Sequence, residues 1–409
     1  MDSFSHYDVQ KYAELARAVG ALSKLYSESN VPLIHPRFVE KLFCHLTGAR
    51  DLARDDSSFD AIFGENMGVG IKTFRSEGPE KSRVEKVAEF TKVAASGFFR
   101  NRTKEELALL VAELRNTRVA SDSAEYSIEI EKSFYHCLVR LSGGAFVHEE
   151  PYSTIDVEKI VPTSATGTVV AKFSADSAGH VYFQDGNNSY MFNTSKNVLY
   201  KRFEMKRHFN SQMFSIGIDQ DIFSKIGRLM QEPNGVTLDA DQKLPASNPS
   251  VVLPLYSSVG GGRTVAAHSG INQWNAAGRP RKFGEAYIPV PIAVHRKNPG
   301  FFPEKDVKFS LKLPNGKEIS AKICQDKGKA LMSDPNTELC EWLFAVIDGN
   351  LEVAGKRLAR QDPYVYDDLL RIGKDSVRIT RVSVKPLKYE LKTCDLGSFE
   401  ESMNESPEN

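Results

Sequence analysis

The sequence predicts an α/β (α+β) N-terminal domain and a mainly β C-terminal domain, with a polar linker between them. Helical and strand-like apolar patterns both occur before residue 230. Residues 231–249 are polar, contain prolines and have little periodicity, as linkers do. Beyond them, the glycine-broken segment Ser269 to Arg281 runs into the strand-like stretch Glu285 to Pro291. We therefore expect domains at 1–230 and 250–398, a linker at 231–249 and a disordered acidic tail at 399–409.

The N-terminal part contains apolar patterns with both helical and strand periods. Helical patterns predict helices at Val9 to Ser27, Pro36 to Leu46, Lys81 to Ala95 and Thr103 to Arg115. The last of these begins with Thr103 and Glu106, which form a capping box. Short apolar runs predict a hairpin with strands at Ala61 to Phe63 and Val69 to Phe74, followed by a β-rich region from Ser133 to Phe203.

The charge of the chain is balanced, with 53 basic and 53 acidic residues. A nucleic-acid partner would therefore need a local basic surface. One candidate stripe lies between Arg263 and Lys297, where six lysines and arginines accompany the single acid Glu285. An ordinary solvated surface is the alternative explanation of such a run.

The cysteine pattern and the N-terminal sequence indicate the cellular compartment of the protein. Five cysteines without a CxxC pair favour reduced thiols in the cytoplasm, and the histidines lack the spacing of zinc ligands. The N-terminus has no apolar signal core, and no stretch approaches the roughly 18 apolar residues of a membrane span. We therefore expect a cytoplasmic protein that is neither secreted nor inserted in a membrane.

A group of polar side chains suited to reading DNA lies in the segment before Glu285. Arginine can pair bidentately with guanine, and asparagine or glutamine with adenine, in the major groove. The same residue types are also common in turns, which is the simpler explanation. The candidate DNA-binding residues of this segment are Asn272, Gln273, Trp274, Asn275, Arg279 and Arg281.

A family resemblance strengthens the DNA-binding interpretation. From about Val251 to Tyr389 the chain resembles the C-terminal DNA-recognition domain of NgoFVII-type restriction endonucleases, a seven-stranded pseudobarrel related to plant B3 domains. The matching strings are SGINQWNAAGRPR, EAYIPVP, NPGFFPEKDVKFSLKLPNGKE and CQDKGKALMSDPN, followed by Trp342. The resemblance implies two arms that grip the major groove, at Ser269 to Arg281 and at Gln325 to Asn336. The candidates on the second arm are Gln325, Asp326, Lys329, Ser333, Asp334 and Asn336.

The N-terminal part resembles, less specifically, a PD-(D/E)xK nuclease. Asp60 precedes one strand of the predicted hairpin and Lys72 lies on the other. In that family, carboxylates hold Mg²⁺ at the attacked phosphate and the lysine positions or activates water. A turn aspartate and a solvent-facing lysine are the alternative explanation.

The motif departs from the family at Gly70, where an acid is usual. The missing acid would have to come from Glu85 or Glu89, which would share one face of the predicted helix at Lys81 to Ala95. We prefer Glu89, so that Asp60 and Glu89 bind the metal and Asp60, Lys72, Glu89 and the accessory acid Glu40 form the catalytic set.

A different catalytic plan is disfavoured. NgoFVII-type enzymes commonly carry a phospholipase D-type nuclease with a His-x-Lys motif, then four further residues and then Asp, so that Asp is the fifth residue after the lysine. The one His-x-Lys here runs from His295 to Lys297, and Phe302 stands where Asp is required.

These observations together predict a type II restriction endonuclease that cuts double-stranded DNA with Mg²⁺, as a homodimer or a DNA-induced oligomer. A non-catalytic sequence- or modification-specific DNA-binding protein is the alternative.

Overall fold

The computed structural model describes residues 7–53, 55–78, 81–205, 213–229, 248–259, 262–272 and 282–404. The chain divides into two compact units, Met1–Ala88 with Glu129–Ala246 and Glu89–Ile128 with Ser247–Asn409. These units do not follow the expected boundary near residue 230, because residues 89–128 pack with the C-terminal segment. Most of the expected linker, positions 231–247, lies outside the described residues.

Both helices and strands occur in the described part of the chain. The helices are α1 (Val9–Ala21), α2 (Pro36–Thr47), α3 (Thr91–Ala95), α4 (Lys104–Tyr126), α5 (Ile222–Leu229), α6 (Ile292–Lys297), α7 (Glu338–Asp348), α8 (Leu351–Ala359), α9 (Tyr366–Ile372) and α10 (Ser398–Asn404). The strands are β1 (Arg50–Asp51), β2 (Ala61–Phe63), β3 (Met67–Arg75), β4 (Arg83–Glu89), β5 (Phe134–Leu141), β6 (Gly144–Pro151), β7 (Val161–Pro162), β8 (His180–Gln184), β9 (Ser189–Asn193), β10 (Val198–Phe203), β11 (Met213–Ser215), β12 (Ser250–Pro254), β13 (Ser257–Val259), β14 (Gly262–Thr264), β15 (Ile288–Pro289), β16 (Lys308–Lys312), β17 (Glu318–Cys324), β18 (Ala330–Ser333), β19 (Lys374–Val384) and β20 (Leu387–Asp395).

Several N-terminal elements confirm the sequence patterns. Helices α1 and α2 form as predicted, although α1 tightens into a 3-10 turn at Leu22–Leu25. Strands β2 and β3 form the predicted antiparallel hairpin. Helix α4 begins with the predicted capping box of Thr103 and Glu106 and continues to Tyr126, beyond the expected end at Arg115, because its second half is also buried.

The predicted helix at Lys81 to Ala95 is wrong. Residues Arg83–Glu89 form strand β4, and only the short helix α3 follows. Strand β4 pairs with β10 at the edge of a five-stranded sheet. Sheet pairing of this kind overrides a helical sequence pattern, since strand formation depends on tertiary partners.

The first unit is built around a six-stranded sheet of order β1-β2-β3-β5-β6-β11, in which only β3 and β5 pair in parallel. One face of this sheet packs against α2, whose buried Val39, Leu42 and Phe43 share a core cluster with Val69 and Ile71 of β3. Because side chains alternate along a strand, Lys72 points to the other face.

The other face of the six-stranded sheet carries aromatic residues that meet the five-stranded sheet, of order β4-β10-β9-β8-β7. Phe203 of β10 lies 5.9 Å from the ring of Phe74 and 5.2 Å from the ring of Tyr135. Lys72 therefore lies on the face between two sheets, and α2 lies on the face away from it.

The second unit contains a seven-stranded sheet of order β12-β19-β20-β16-β17-β18-β15. The terminal strands β12 and β15 approach each other, so the sheet is a nearly closed barrel, consistent with the predicted pseudobarrel. Helix α7 buries Trp342, Leu339 and Leu343 in the core of the unit, so these side chains have a structural role.

Helix α4 is joined to the barrel by a buried charge network. Lys374 Nζ of β19 lies 2.5 Å from carboxylate oxygens of both Asp122 and Glu125, and all three side chains are at most 3% exposed. Thr393 of β20 donates its hydroxyl hydrogen bond to Glu125, and Trp342 Nε1 donates to the Glu125 carbonyl at 3.4 Å. Burial by itself lowers the pKa of Lys374, but the two carboxylates raise it above its usual value.

The expected disordered tail is wrong for its first part. Residues Ser398–Asn404 form α10, and Phe399 and Met403 pack against the core. Glu400 accepts a hydrogen bond from Tyr256 and pairs with Arg263, so an acidic sequence here serves a folded contact. Residues 405–409 lie outside the described part of the chain.

Among the described residues, none of the helices combines the length and the hydropathy that a membrane span requires.

The Lys374 network predicts a large loss of stability from a single truncation. We expect Lys374→Ala to lower the free energy of unfolding by about 3 to 5 kcal/mol, because the buried carboxylates of Asp122 and Glu125 then lose the cation that neutralises them. The measurement is urea unfolding followed by tryptophan fluorescence, since Trp342 is buried in this unit.

The matched control is Glu352→Ala, which removes an exposed ion pair with Lys356. Exposed pairs contribute roughly 0 to 1 kcal/mol, so this variant should unfold nearly as the parent does. Equal losses for both variants would contradict the importance of the buried network.

Candidate functional site

The hairpin of β2 and β3 brings Asp60 and Lys72 together, as the sequence predicted. Asp60 directly precedes β2, and its amide donates to the Val69 carbonyl at 2.8 Å. Its carboxylate Oδ2 accepts a hydrogen bond from the Ile71 amide at 2.6 Å and lies 3.4 Å from Lys72 Nζ. The backbone of β3 thus holds the carboxylate beside the ammonium.

The Asp60–Lys72 pair is partly open to solvent, with side chains 23% and 27% exposed. Burial by itself lowers the pKa of Lys72, but Asp60, Tyr135 and Cys137 outweigh it and leave the pKa above its usual value. Lys72 is therefore a cation at neutral pH, which suits it to hold an anion such as a phosphate oxygen and makes it a poor proton acceptor.

Gly70 occupies the position where related motifs carry an acid, and the structure gives a steric reason. A Cβ atom at Gly70 would lie 2.7 Å from two carbons of the Tyr135 ring and 3.3 Å from the Tyr152 ring. These two rings stack on each other, with centroids 4.5 Å apart. An aspartate or glutamate at position 70 would require this aromatic stack to move.

Glu85 and Glu89, the two candidates for the missing acid, lie on strand β4 and not on a helix. Burial raises the pKa of Glu85, while the charges of Arg83 and Lys72 lower it in part, so Glu85 interacts electrostatically with Lys72. Glu89 ends the strand, accepts a hydrogen bond from Thr91 Oγ1 at 2.9 Å and belongs to the second unit. Glu85 therefore lies within the electrostatic range of Lys72, whereas Glu89 is bound to Thr91 at the end of the strand.

Glu40 does not join the Asp60–Lys72 pair. It lies on α2, which packs against the face of the sheet opposite to Lys72, and its carboxylate pairs with Arg37 at 2.7 Å. Glu40 was predicted as an accessory acid because it lies on the helix that precedes the hairpin. Strand alternation places it on the other side.

Sequence reasoning missed a buried polar group on the Lys72 face. The register aligns Lys72 with Cys137 and Cys137 with His148, on neighbouring strands. His148 Nε2 lies 3.1 Å from Glu150 Oε2, and the other oxygen of Glu150 accepts from Lys201. Burial raises the pKa of Glu150, but His148 and Lys201 outweigh it and lower the pKa below its usual value. The two-residue spacing of His148 and Glu150 in β6 was the available signal.

The Mg²⁺ expectation can be tested against the donor atoms. Among the described residues, no three His, Cys, Asp or Glu side chains are grouped to hold a metal ion. Mg²⁺ is often held by only one or two carboxylates, with water and substrate phosphate completing its coordination. Asp60 supplies one such carboxylate beside Lys72, so a Mg²⁺ ion bound there would need water and substrate phosphate to complete its coordination.

The first predicted arm is described only at its beginning. Asn272 is buried, donates to the carbonyls of Ala266 and Tyr364 and accepts from the Tyr364 amide at 2.7 Å. Its amide therefore anchors the arm and is not directed at a ligand. Five further candidates lie outside the described residues: Gln273, Trp274, Asn275, Arg279 and Arg281.

The second arm exposes some of its candidates and buries another. Gln325 has a φ of 64°, a left-handed conformation that opens a tight turn, and Asp326 and Lys329 of this turn are exposed. Ser333 is buried and accepts a hydrogen bond from the Leu339 amide at the start of α7, a structural role.

The remaining second-arm candidates have partners within the unit. Asp334 pairs with Lys308 at 2.7 Å, and this hydrogen bond lowers the pKa of the carboxyl group. Asn336 Nδ2 donates to Glu285 at 3.3 Å. A DNA base would have to compete with these internal partners.

The basic stripe is also divided between structural and exposed residues. Arg263 pairs with Asp375 at 3.3 Å and with Glu400, and Lys297 donates to carbonyls of α10. Lys282 and Arg296 are exposed. Part of the stripe therefore stabilises the fold.

The steric block at Gly70 predicts that restoring the usual acid would destabilise the protein. We expect Gly70→Asp to lower the free energy of unfolding by about 1 to 3 kcal/mol, the usual cost of overpacking. The measurement is urea unfolding followed by circular dichroism. Gly78→Asp is the matched control, because a Cβ there meets no atom within 4 Å. If Gly70→Asp were as stable as the control, the aromatic stack would not restrict this position.

The comparisons with known proteins concern the second unit. A search of curated proteins found no match to the chain. Residues 234–383 match the family model of the NgoFVII C-terminal B3-like DNA-binding domain. The match covers most of the seven-stranded barrel and agrees with the resemblance inferred from the sequence. It indicates that the chain contains a DNA-binding domain of a type associated with restriction enzymes.

Proposed function

We propose that the protein is a type II restriction endonuclease that recognises a DNA sequence with its barrel and cuts both strands near Asp60 and Lys72. The observation that carries the proposal is the match of residues 234–383 to a restriction-associated DNA-binding domain. The Asp60–Lys72 pair, held by β3, supplies a centre for hydrolysis in the other unit.

Recognition is assigned to the two arms of the barrel. Exposed Asp326 and Lys329 of the second arm are free to reach DNA, and an aspartate can accept a hydrogen bond from the cytosine amino group. Lysine contacts to phosphate position the protein, and base-edge contacts specify the sequence. The arginines of the first arm would complete the readout.

Hydrolysis is assigned to the face between the two sheets of the first unit. Asp60 and Glu85 would hold Mg²⁺, which in such sites stabilises the charge that develops on the attacked phosphate. Lys72, cationic at neutral pH, holds a phosphate oxygen and orients it. Asp60 keeps the ammonium in place through its own link to the Ile71 amide.

A non-catalytic DNA-binding protein is the second candidate function. It is favoured by the steric block at Gly70 and by the lack, among the described side chains, of a three-ligand group. In that case the N-terminal unit would serve assembly or partner binding. Cleavage assays separate the two candidates directly.

Cutting both strands requires two reaction centres, so we propose a homodimer or a DNA-induced oligomer that acts on DNA in the cytoplasm. Gel filtration with and without bound DNA tests this assembly. A monomer under both conditions would count against it.

The nuclease proposal predicts a specific dependence on Lys72. Wild-type protein with Mg²⁺ should cut unmethylated mixed-sequence plasmid DNA into discrete fragments, and EDTA should stop the cutting. Lys72→Ala should reduce the cleavage rate at least about 100-fold, because removal of one preorganised charge from a reaction centre commonly costs that much. The rate is measured from fragment yield on gels.

Lys81→Ala is the matched control, since Lys81 is 64% exposed and pairs with Glu77 in the same unit. It should cleave at the wild-type rate. Discrete fragments that survive EDTA or Lys72→Ala would rule out this centre. Tight DNA binding without cutting, on unmodified and modified DNA alike, would favour the non-catalytic function.

The recognition proposal predicts a change in the salt dependence of binding. Lys329→Ala should reduce the slope of log affinity against log salt concentration by about one charge, as loss of one phosphate contact does. Lys317→Ala is the control, because Lys317 pairs with Glu338 on the same unit. Binding is measured by fluorescence anisotropy at several salt concentrations. Equal slopes for Lys329→Ala and wild type would show that Lys329 does not contact a DNA phosphate.

A further inference from the structure

The second unit contains a cavity of about 540 Å³ that both predicted arms border. Ser269 and Gly270 of the first arm line it, and so does Lys329 of the second. The volume lies within the range of pockets that bind small ligands. The cavity is formed by the fold, since its walls come from the end of β12 and from the segment around β15.

The walls of the cavity suit a flat ring with polar edges. Half-buried Tyr287 and Phe399 contribute aromatic surface, buried Tyr256 forms part of the floor, and Ser257 and Ser269 contribute hydroxyl groups. Aromatic side chains stack on nucleobases, and hydroxyl groups can bond their edges.

The floor of the cavity at Tyr256 is preorganised. The Tyr256 hydroxyl donates to Glu400 at 2.5 Å, and the Arg263 guanidinium lies 5.3 Å from the centre of its ring. Tyr256 is 3% exposed, so the ring is already in place before a ligand arrives. Binding would cost little side-chain ordering at this part of the floor.

The rim of the cavity combines a cation with exposed apolar surface. Lys329 is exposed and can neutralise a phosphate, while Ile292, 43% exposed, offers an apolar side chain to the same opening. On a DNA-binding surface, an exposed apolar side chain can insert between two bases and stabilise the unstacked base step.

We propose that this cavity receives one nucleobase rotated out of the bound DNA duplex. The inference rests on the proposed DNA recognition by this domain and adds that the protein reads one position by extruding its base. Extrusion requires unpairing and unstacking, which cost least at a mismatched position. No bond to the base is made or broken.

The test first selects a bound duplex from a random-sequence pool with the full-length protein. 2-Aminopurine, whose fluorescence is quenched by stacking, then replaces one base at a time in that duplex. Protein binding should raise the fluorescence at one position, and a mismatch at that position should tighten binding at least severalfold.

Two phenylalanine substitutions at exposed alanines distinguish the cavity from its surroundings. Ala266 lines the cavity, whereas the neighbouring Ala267 does not. Ala266→Phe should abolish both the fluorescence rise and the preference for the mismatch, and Ala267→Phe should retain both. Ala293→Phe, at another exposed lining position, replaces Ala266→Phe if that variant unfolds at a lower temperature than wild type.

The outcomes separate this inference from the proposed function. Enrichment of a duplex without a fluorescence rise or mismatch preference at any position would overturn base extrusion and leave DNA recognition intact. A rise that persists in Ala266→Phe and Ala293→Phe would overturn the assignment to this cavity. Failure to enrich any duplex would overturn DNA recognition, and base extrusion with it.

Discussion

The buried ammonium of Lys374 determines how the second unit, which contains the barrel, is assembled. Its two carboxylate partners, Asp122 and Glu125, lie on α4, about 250 positions earlier in the chain. A buried charge of this kind is stable only when its partners are present, so the barrel and α4 form one unit. The ends of α4 lead back along the chain to β4 and β5, the strands that carry Glu85 and Cys137. Helix α4, a part of the second unit, therefore lies in the chain between two strands of the first unit.

Strand alternation imposes a second constraint, on the chemistry of the first unit. On β3, Val69 and Ile71 enter the core with α2, which leaves Gly70 and Lys72 on the other face. There the rings of Tyr135 and Tyr152 occupy the space that an acid at position 70 would need. A metal site on this face would therefore need its second carboxylate from another strand, and Glu85 of β4 is the candidate. The same face also holds His148 and Glu150, and Glu150 contacts both His148 and Lys201 of β10 on the facing sheet.

The sequence patterns were reliable where a feature is local. The capping box at Thr103, the helix that follows Pro36 and the hairpin that joins Asp60 to Lys72 depend on neighbours a few residues away. The sequence patterns failed where contacts with residues far away in the chain decide the conformation. Lys81 to Ala95 has a helical pattern, yet Arg83–Glu89 within it form strand β4, which pairs with β10. The acidic residues after Ser398 read as disordered, yet Glu400 bonds to Tyr256 and Arg263. Asn272 and Ser333 were predicted to contact DNA because their side chains are polar, but both side chains form hydrogen bonds inside the fold.

The sequence by itself determined that the C-terminal part is a β-rich DNA-binding domain, because long ordered strings carry that resemblance, and that an acid and a lysine meet on one hairpin, because a hairpin sets its own register. Only the tertiary structure decided which other residues accompany them. In the structure, Glu40 lies on the face of the sheet opposite to Lys72, and Glu85 interacts electrostatically with Lys72. Aromatic rings fill the space beside Gly70, and α4 belongs to the second unit. These outcomes depend on contacts between segments far apart in the chain, and local patterns hold no information about such contacts.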